Sequence, residues 1–97
     1  MNSQKIIWLP KVKDKLTQYR SKHFSSEETF DFISTIIIEA EDLLKNPFLS
    51  KTYTEEFGEF KGISRIVIRR FKFYFERDEN DIVIIAVLFP GESGNQV

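Results

Sequence analysis

The chain has 97 residues, 41% hydrophobic and 30% charged, with a formal net charge of −1 and no cysteine. That combination describes one soluble domain and excludes a disulfide framework, thiolate chemistry and binding of nucleic acid through bulk charge. The longest apolar run is the eight residues from Ile82 to Phe89, too short to span a bilayer. The polar opening Met1-Asn2-Ser3-Gln4-Lys5 carries no signal-peptide core, so a cytoplasmic protein without a membrane segment is expected.

Residues 5–9, Lys-Ile-Ile-Trp-Leu, read as a short strand rich in β-formers. Pro10 ends it and suits the first position of a helix. From Lys11 to Lys22 the spacing is helical, with Val12, Leu16 and Tyr19 on one stripe. His23-Phe24 breaks the pattern, and Ser25-Ser26-Glu27-Glu28 is a capping-box signature. A second helix is expected over 26–45. Phe30, Ile33, Ile37, Ala40 and Leu44 follow at spacings of 3, 4, 3 and 4, one continuous apolar stripe. The β-branched run Ile36 to Ile38 propagates helix weakly, but the cap and the stripe outweigh it. Asn46-Pro47 stops the helix. Two helices joined by about three residues predict an antiparallel hairpin.

Residues 48–61 are irregular, with a turn or a strand start near 55–60. Strands are then expected over 63–69, 71–77 and 81–89. The Arg69-Arg70 junction is too short to be read as a turn, whereas Asp78 to Asp81 is a turn by residue type. Phe71, Phe73 and Phe75 alternate along one strand. The run 82–89 is apolar on both parities, as in a strand covered on both faces. The order is β-α-α-β-β-β: a two-layer α+β domain over 1–90, with the helical hairpin on one face of an antiparallel twisted sheet. A flexible tail is expected over 91–97.

Charge is unevenly spread. Lys11, Lys13, Lys15, Arg20 and Lys22 crowd the first helix, and Lys61, Arg65, Arg69, Arg70, Lys72 and Arg77 the first half of the hairpin region. These are either ordinary solvated faces or a one-sided positive surface.

The layout of glycine, arginine, alternating aromatics, acidic turn and apolar strand falls on Gly62, Arg65, Phe71/Phe73/Phe75, Asp78 to Asp81 and Ile82 to Leu88. With the helical hairpin before it, this resembles the RelE/ParE superfamily of toxins from bacterial type II toxin–antitoxin systems, over nearly the whole chain. The resemblance implies a cognate antitoxin as partner and one of two activities. RelE-like members, YoeB among them, cut messenger RNA on the ribosome. ParE-like members bind DNA gyrase without established catalytic residues.

Cutting RNA by 2′-OH attack needs a base, an acid for the leaving oxygen and a positive group on the phosphate. Arg65 matches the arginine of the nuclease branch, with Lys61 and Arg69 as supporting cations. YoeB-like members place histidine and tyrosine near the end of the last strand, where this chain has Leu88-Phe89, and neither can move a proton. The single histidine, His23, lies between the helices and reads as a solvated loop residue. Tyr74, on the parity opposite the phenylalanines, faces either a ligand or the edge of the core. Glu55, Glu56 and Glu59 offer a base or simply a solvated loop.

As a binding module, the chain would use Arg65, Arg69, Arg70, Lys72 and Phe89 toward antitoxin or target. Arg65 and Arg69 share one parity on a regular strand. Type II antitoxins wrap their toxins with a segment that folds on binding, which asks for an apolar floor and a basic rim. The expectation is therefore a ParE-like gyrase inhibitor, with a ribosome-dependent messenger RNA endonuclease as the alternative. No spacing suggests a metal, nucleotide or organic cofactor.

Overall fold

The computed structural model describes residues 5–46 and 53–92. Its elements are β1 (Lys5–Trp8), α1 (Pro10–Thr17), α2 (Ser26–Lys45), β2 (Tyr53–Thr54), β3 (Ser64–Ile68), β4 (Phe71–Asp78) and β5 (Asp81–Leu88). The strands form one five-stranded sheet in the order β1-β5-β4-β3-β2. The α+β class stands, with two helices over one face, but the sheet is mixed. β1 runs parallel to β5, Lys5 opposite Asp81 and Trp8 opposite Ile84, and the other pairings are antiparallel. The two-residue β2 is too short to leave a pattern in the sequence.

α2 forms where its signals place it. Ser25 Oγ accepts from the Glu28 amide at 3.1 Å, and the Glu28 carboxylate accepts from the Ser25 amide at 2.8 Å. Asn46, before Pro47, is already extended at φ −100°. α1 is shorter than its periodicity predicts, ending at Thr17 rather than near Lys22. Arg20 explains the stop: its Nη1 donates to the Thr17 and Tyr19 carbonyls at 2.8 and 2.7 Å, satisfying acceptors at the helix end. The linker is therefore residues 18–25, not about three residues. The helices are antiparallel. Trp8, just before α1, donates to Glu41 late in α2 at 2.7 Å, while Tyr19, just after α1, meets Phe32 early in α2.

The core lies between helices and sheet. Val12, Leu16, Ile33, Ile36, Ala40 and Leu44 meet Ile66, Ile68, Phe71, Phe73, Phe75, Ile82, Ile84 and Val87. Phe71, Phe73 and Phe75 are at most 1% exposed, so each removes its ring from water at about 1.5–3 kcal/mol of stabilisation. The sheet registers explain β5. Phe75 sits opposite Ile84, but Tyr74 sits opposite Ala86, so the chain bulges at Ile85. The bulge reverses parity, sending Ile82, Ile84 and Val87 to the helix face. Apolar residues on both parities thus reflect the bulge as well as burial.

β5 is interior, flanked by β1 and β4, and β4 is the middle strand. The β3–β4 turn is Arg69-Arg70 alone, with φ of 49° and 74°. Positive φ at both central positions marks the type I′ hairpin family, which usually takes asparagine and glycine. The Asp78–Asp81 turn is likewise two residues, Glu79-Asn80, between paired Asp78 and Asp81. At the other end the chain stays tied down through Glu92. Its amide donates to the Phe89 carbonyl at 2.9 Å, and its carboxylate accepts from the Phe89 amide at 2.7 Å and pairs with Lys15 at 2.8 Å. Of the tail expected over 91–97, Gly91 and Glu92 are described, and Glu92 is held by these contacts. Residues 93–97 lie outside the described residues.

Candidate functional site

The helices cover one face of the sheet and leave the other to strand side chains. On this open face the registers align Tyr53, Arg65, Tyr74 and Ala86 in one row and Val67, Lys72 and Leu88 in the next. Ile7 and Val83 pair toward the β1 edge. Ile7, Tyr53 and Val67, on β1, β2 and β3, are 40%, 44% and 49% exposed.

One end of the face is closed by residues 55–63. Glu55 and Ile63 are joined amide to carbonyl at 3.0 Å, and the Gly62 amide returns to the Glu55 carbonyl at 2.8 Å. Gly62 holds φ +86°, a conformation that a side chain would strain. This loop brings two side chains onto β3 and β4. Phe60 stacks on Tyr74, ring centroids 4.2 Å apart. Glu55 Oε2 accepts from both Arg65 Nη1 at 3.0 Å and Tyr74 Oη at 2.9 Å. The Arg65 guanidinium lies 4.4 Å from the Tyr53 ring centre, and its Nε is buried with no partner among the described residues.

Burial, with the Glu55 hydrogen bond, pushes the Tyr74 phenol above the usual tyrosine range, although Arg65 opposes the shift. The phenol therefore keeps its proton and donates it to a carboxylate held by a guanidinium. Base, proton donor and cation, the three groups that phosphodiester cleavage asks for, lie within one hydrogen-bonded cluster. Tyr74 is 2% exposed beneath Phe60, so a substrate reaches its hydroxyl only if that ring moves.

The other expected site residues are dispersed. Arg65 and Arg69 do not share a face. β3 ends at Ile68, and Arg69 turns to the helix layer, where Nε and Nη2 form a two-pronged pair with Glu39 at 2.8 and 3.0 Å. That pair lowers the Glu39 carboxyl and raises the Arg69 guanidinium from their ordinary values. Arg70 is exposed at the hairpin tip, and Lys72 is half-buried on the open face. Lys61, Glu56 and Glu59 are exposed in the 55–63 loop, and His23 is exposed between the helices. Phe89 faces the helices, with its ring 5.1 Å from Tyr19 and 5.6 Å from Phe71. Among the described residues, the basic side chains are thus divided between the two layers and several are neutralised, so no one-sided positive surface forms there.

Lys15, read from the sequence only as one of the cations of the first helix, has a specific place in the fold. It donates to the Val87 carbonyl at 2.8 Å, pairs with Glu92 and lies 5.0 Å from the Phe89 ring centre, tying α1 to the end of β5. Its position among other lysines of α1 gave no signal of that role. Among the described residues, no helix is long and apolar enough to cross a membrane. Nor is any group of three His, Asp or Glu gathered there as metal ligands. Comparison with known proteins finds no matching family model, no similar curated protein and no similar solved structure.

Proposed function

We propose that this chain is a cytoplasmic toxin of the RelE/ParE kind, neutralised by a cognate antitoxin and acting on DNA gyrase by docking rather than by bond cleavage. One observation carries the reading. The open face, floored by the interior strands β4 and β5, presents Ile7, Tyr53 and Val67 to solvent, with no helix over them among the described residues. Extended or helical polypeptides bind such faces by filling side-chain pockets over an apolar floor. Leu88-Phe89 at the end of β5 offers no group for proton transfer, which supports binding over catalysis. Purified protein added to a supercoiling assay is expected to inhibit gyrase. Val67→Glu, at an exposed position, is expected to relieve that inhibition without unfolding the chain. Unchanged supercoiling at micromolar protein rejects the gyrase target.

The rival, a ribosome-dependent messenger RNA endonuclease, draws on one specific observation. Glu55, one of three acids read as a base, Arg65, read as serving the phosphate, and Tyr74, read as facing a ligand or the core edge, meet in one cluster. Primer extension on translated transcripts separates the two: codon-phased cuts that vanish in Glu55→Gln favour the nuclease.

A further inference from the structure

A cavity of about 600 Å³ opens between α1 and α2 beside Trp8, within the range of pockets that take small organic molecules. It belongs to the helix layer, so it and the open face can succeed or fail separately. Its floor is buried Leu16 and Ile33, and its α2 wall is Ile37 and Phe30, the latter 71% exposed. An aromatic ring left that exposed beside a concave apolar floor is poorly explained as core.

The groove has polarity along its length. At one end Glu41 accepts the Trp8 indole N–H, so a carboxylate and an aromatic edge close it. At the other, beyond the end of α1, stands Arg20. Its Nη1 is fixed by the Thr17 and Tyr19 carbonyls, while Nε and Nη2 have no partner among the described residues. A guanidinium anchored through one nitrogen with two donors free matches a carboxylate. Lys13, also without a partner among the described residues, adds a second positive charge along the α1 wall.

We propose that this groove binds a linear amphiphilic monocarboxylate, its acid group at Arg20 and its chain along Leu16, Ile33 and Ile37 toward Trp8. Glu41 sets the selectivity, since it repels a second carboxylate at the far end while leaving an apolar terminus untouched.

Trp8 is the chain's single tryptophan and lines the groove, so its emission reports occupancy. Decanoate, titrated below its micelle concentration, is expected to give a saturable change in Trp8 fluorescence. Decanol, which lacks the charge, and decanedioate, which carries a second one, are expected to bind at least about tenfold more weakly. Arg20→Gln should weaken decanoate by a similar factor. Ser34→Phe fills the groove from α2, leaves the α1 cap intact and should abolish the response, with circular dichroism confirming that both variants fold. A flat titration with decanoate overturns the proposal. So does decanol binding as tightly as decanoate, or a decanoate affinity unchanged in folded Arg20→Gln and Ser34→Phe proteins.

Discussion

Arg70→Gly should make this protein more stable, although glycine usually costs stability. Arg70 sits at φ 74° in the β3–β4 turn, exposed and with no side-chain partner among the described residues. An L-residue in the left-handed region is strained by about 1–2 kcal/mol, because its Cβ crowds the following carbonyl. Glycine has no such crowding but loses about 0.5–1 kcal/mol more backbone entropy on folding. The difference leaves a net gain of about 0–1.5 kcal/mol, with a midpoint of about 0.75. For a domain of this size the midpoint raises the melting temperature by roughly 3–6 °C. Thermal unfolding followed by circular dichroism reads it directly. Arg70→Ala keeps the Cβ and should melt with the parent, whereas β-branched Arg70→Val should melt lower. If Arg70→Gly melts at or below Arg70→Ala, the turn is not strained and the reasoning fails. Arg69 is left alone because its pairing with Glu39 would confound the measurement.

Ser25→Ala removes the acceptor of the α2 capping box and should cost about 1 kcal/mol in chemical denaturation. Phe73→Ala empties a site at 0% exposure and should cost about 3–5 kcal/mol, a large share of the roughly 5–15 kcal/mol of a whole domain; a loss under about 1 kcal/mol would contradict the packing. Tyr74 should ionise above the ordinary tyrosine value of 10.0. Because the unfolded chain releases that proton first, the stability Tyr74 contributes is intact below about pH 10 and declines as pH rises through its folded value. Phenolate absorbance of the native protein should show a late-titrating component that is lost in Tyr74→Phe. The Glu92 carboxyl is held below its ordinary value of 4.5, first by Lys15 and then by the Phe89 amide. Its contribution is therefore present above about pH 4.5 and lost on acidification, when the Phe89 amide should lose hydrogen-exchange protection.

Much of this architecture was legible in residues that act locally. The α2 bounds follow from Ser25, Glu28 and Asn46-Pro47, and the inward phenylalanines from simple alternation. What escaped depends on contacts remote in sequence or on unusual residues. α1 ends early because the Arg20 side chain reaches back to two carbonyls, where a glycine stop would have been read at once. Arg69-Arg70 forms a turn normally written with asparagine and glycine. The bulge at Ile85 is invisible in a run where every residue is apolar, yet it decides which ones meet the helices. Glu55, Arg65 and Tyr74 were each visible as chemistry-bearing residues. Their meeting required the β3–β4 register and the fold of residues 55–63, which no local pattern encodes.

The parallel pairing of β1 with β5 joins residues 5–8 to residues 81–84, nearly the full length of the chain apart. During synthesis, β1 has no lasting neighbour in the sheet until β5 follows it from the ribosome. A chain cut short before residue 81 would lose two strands from the sheet, not one, and with them the support for Trp8 and α1. A product lacking β5 should therefore fail to hold this fold and be cleared, and the full sheet should form only once residues 81–88 are made.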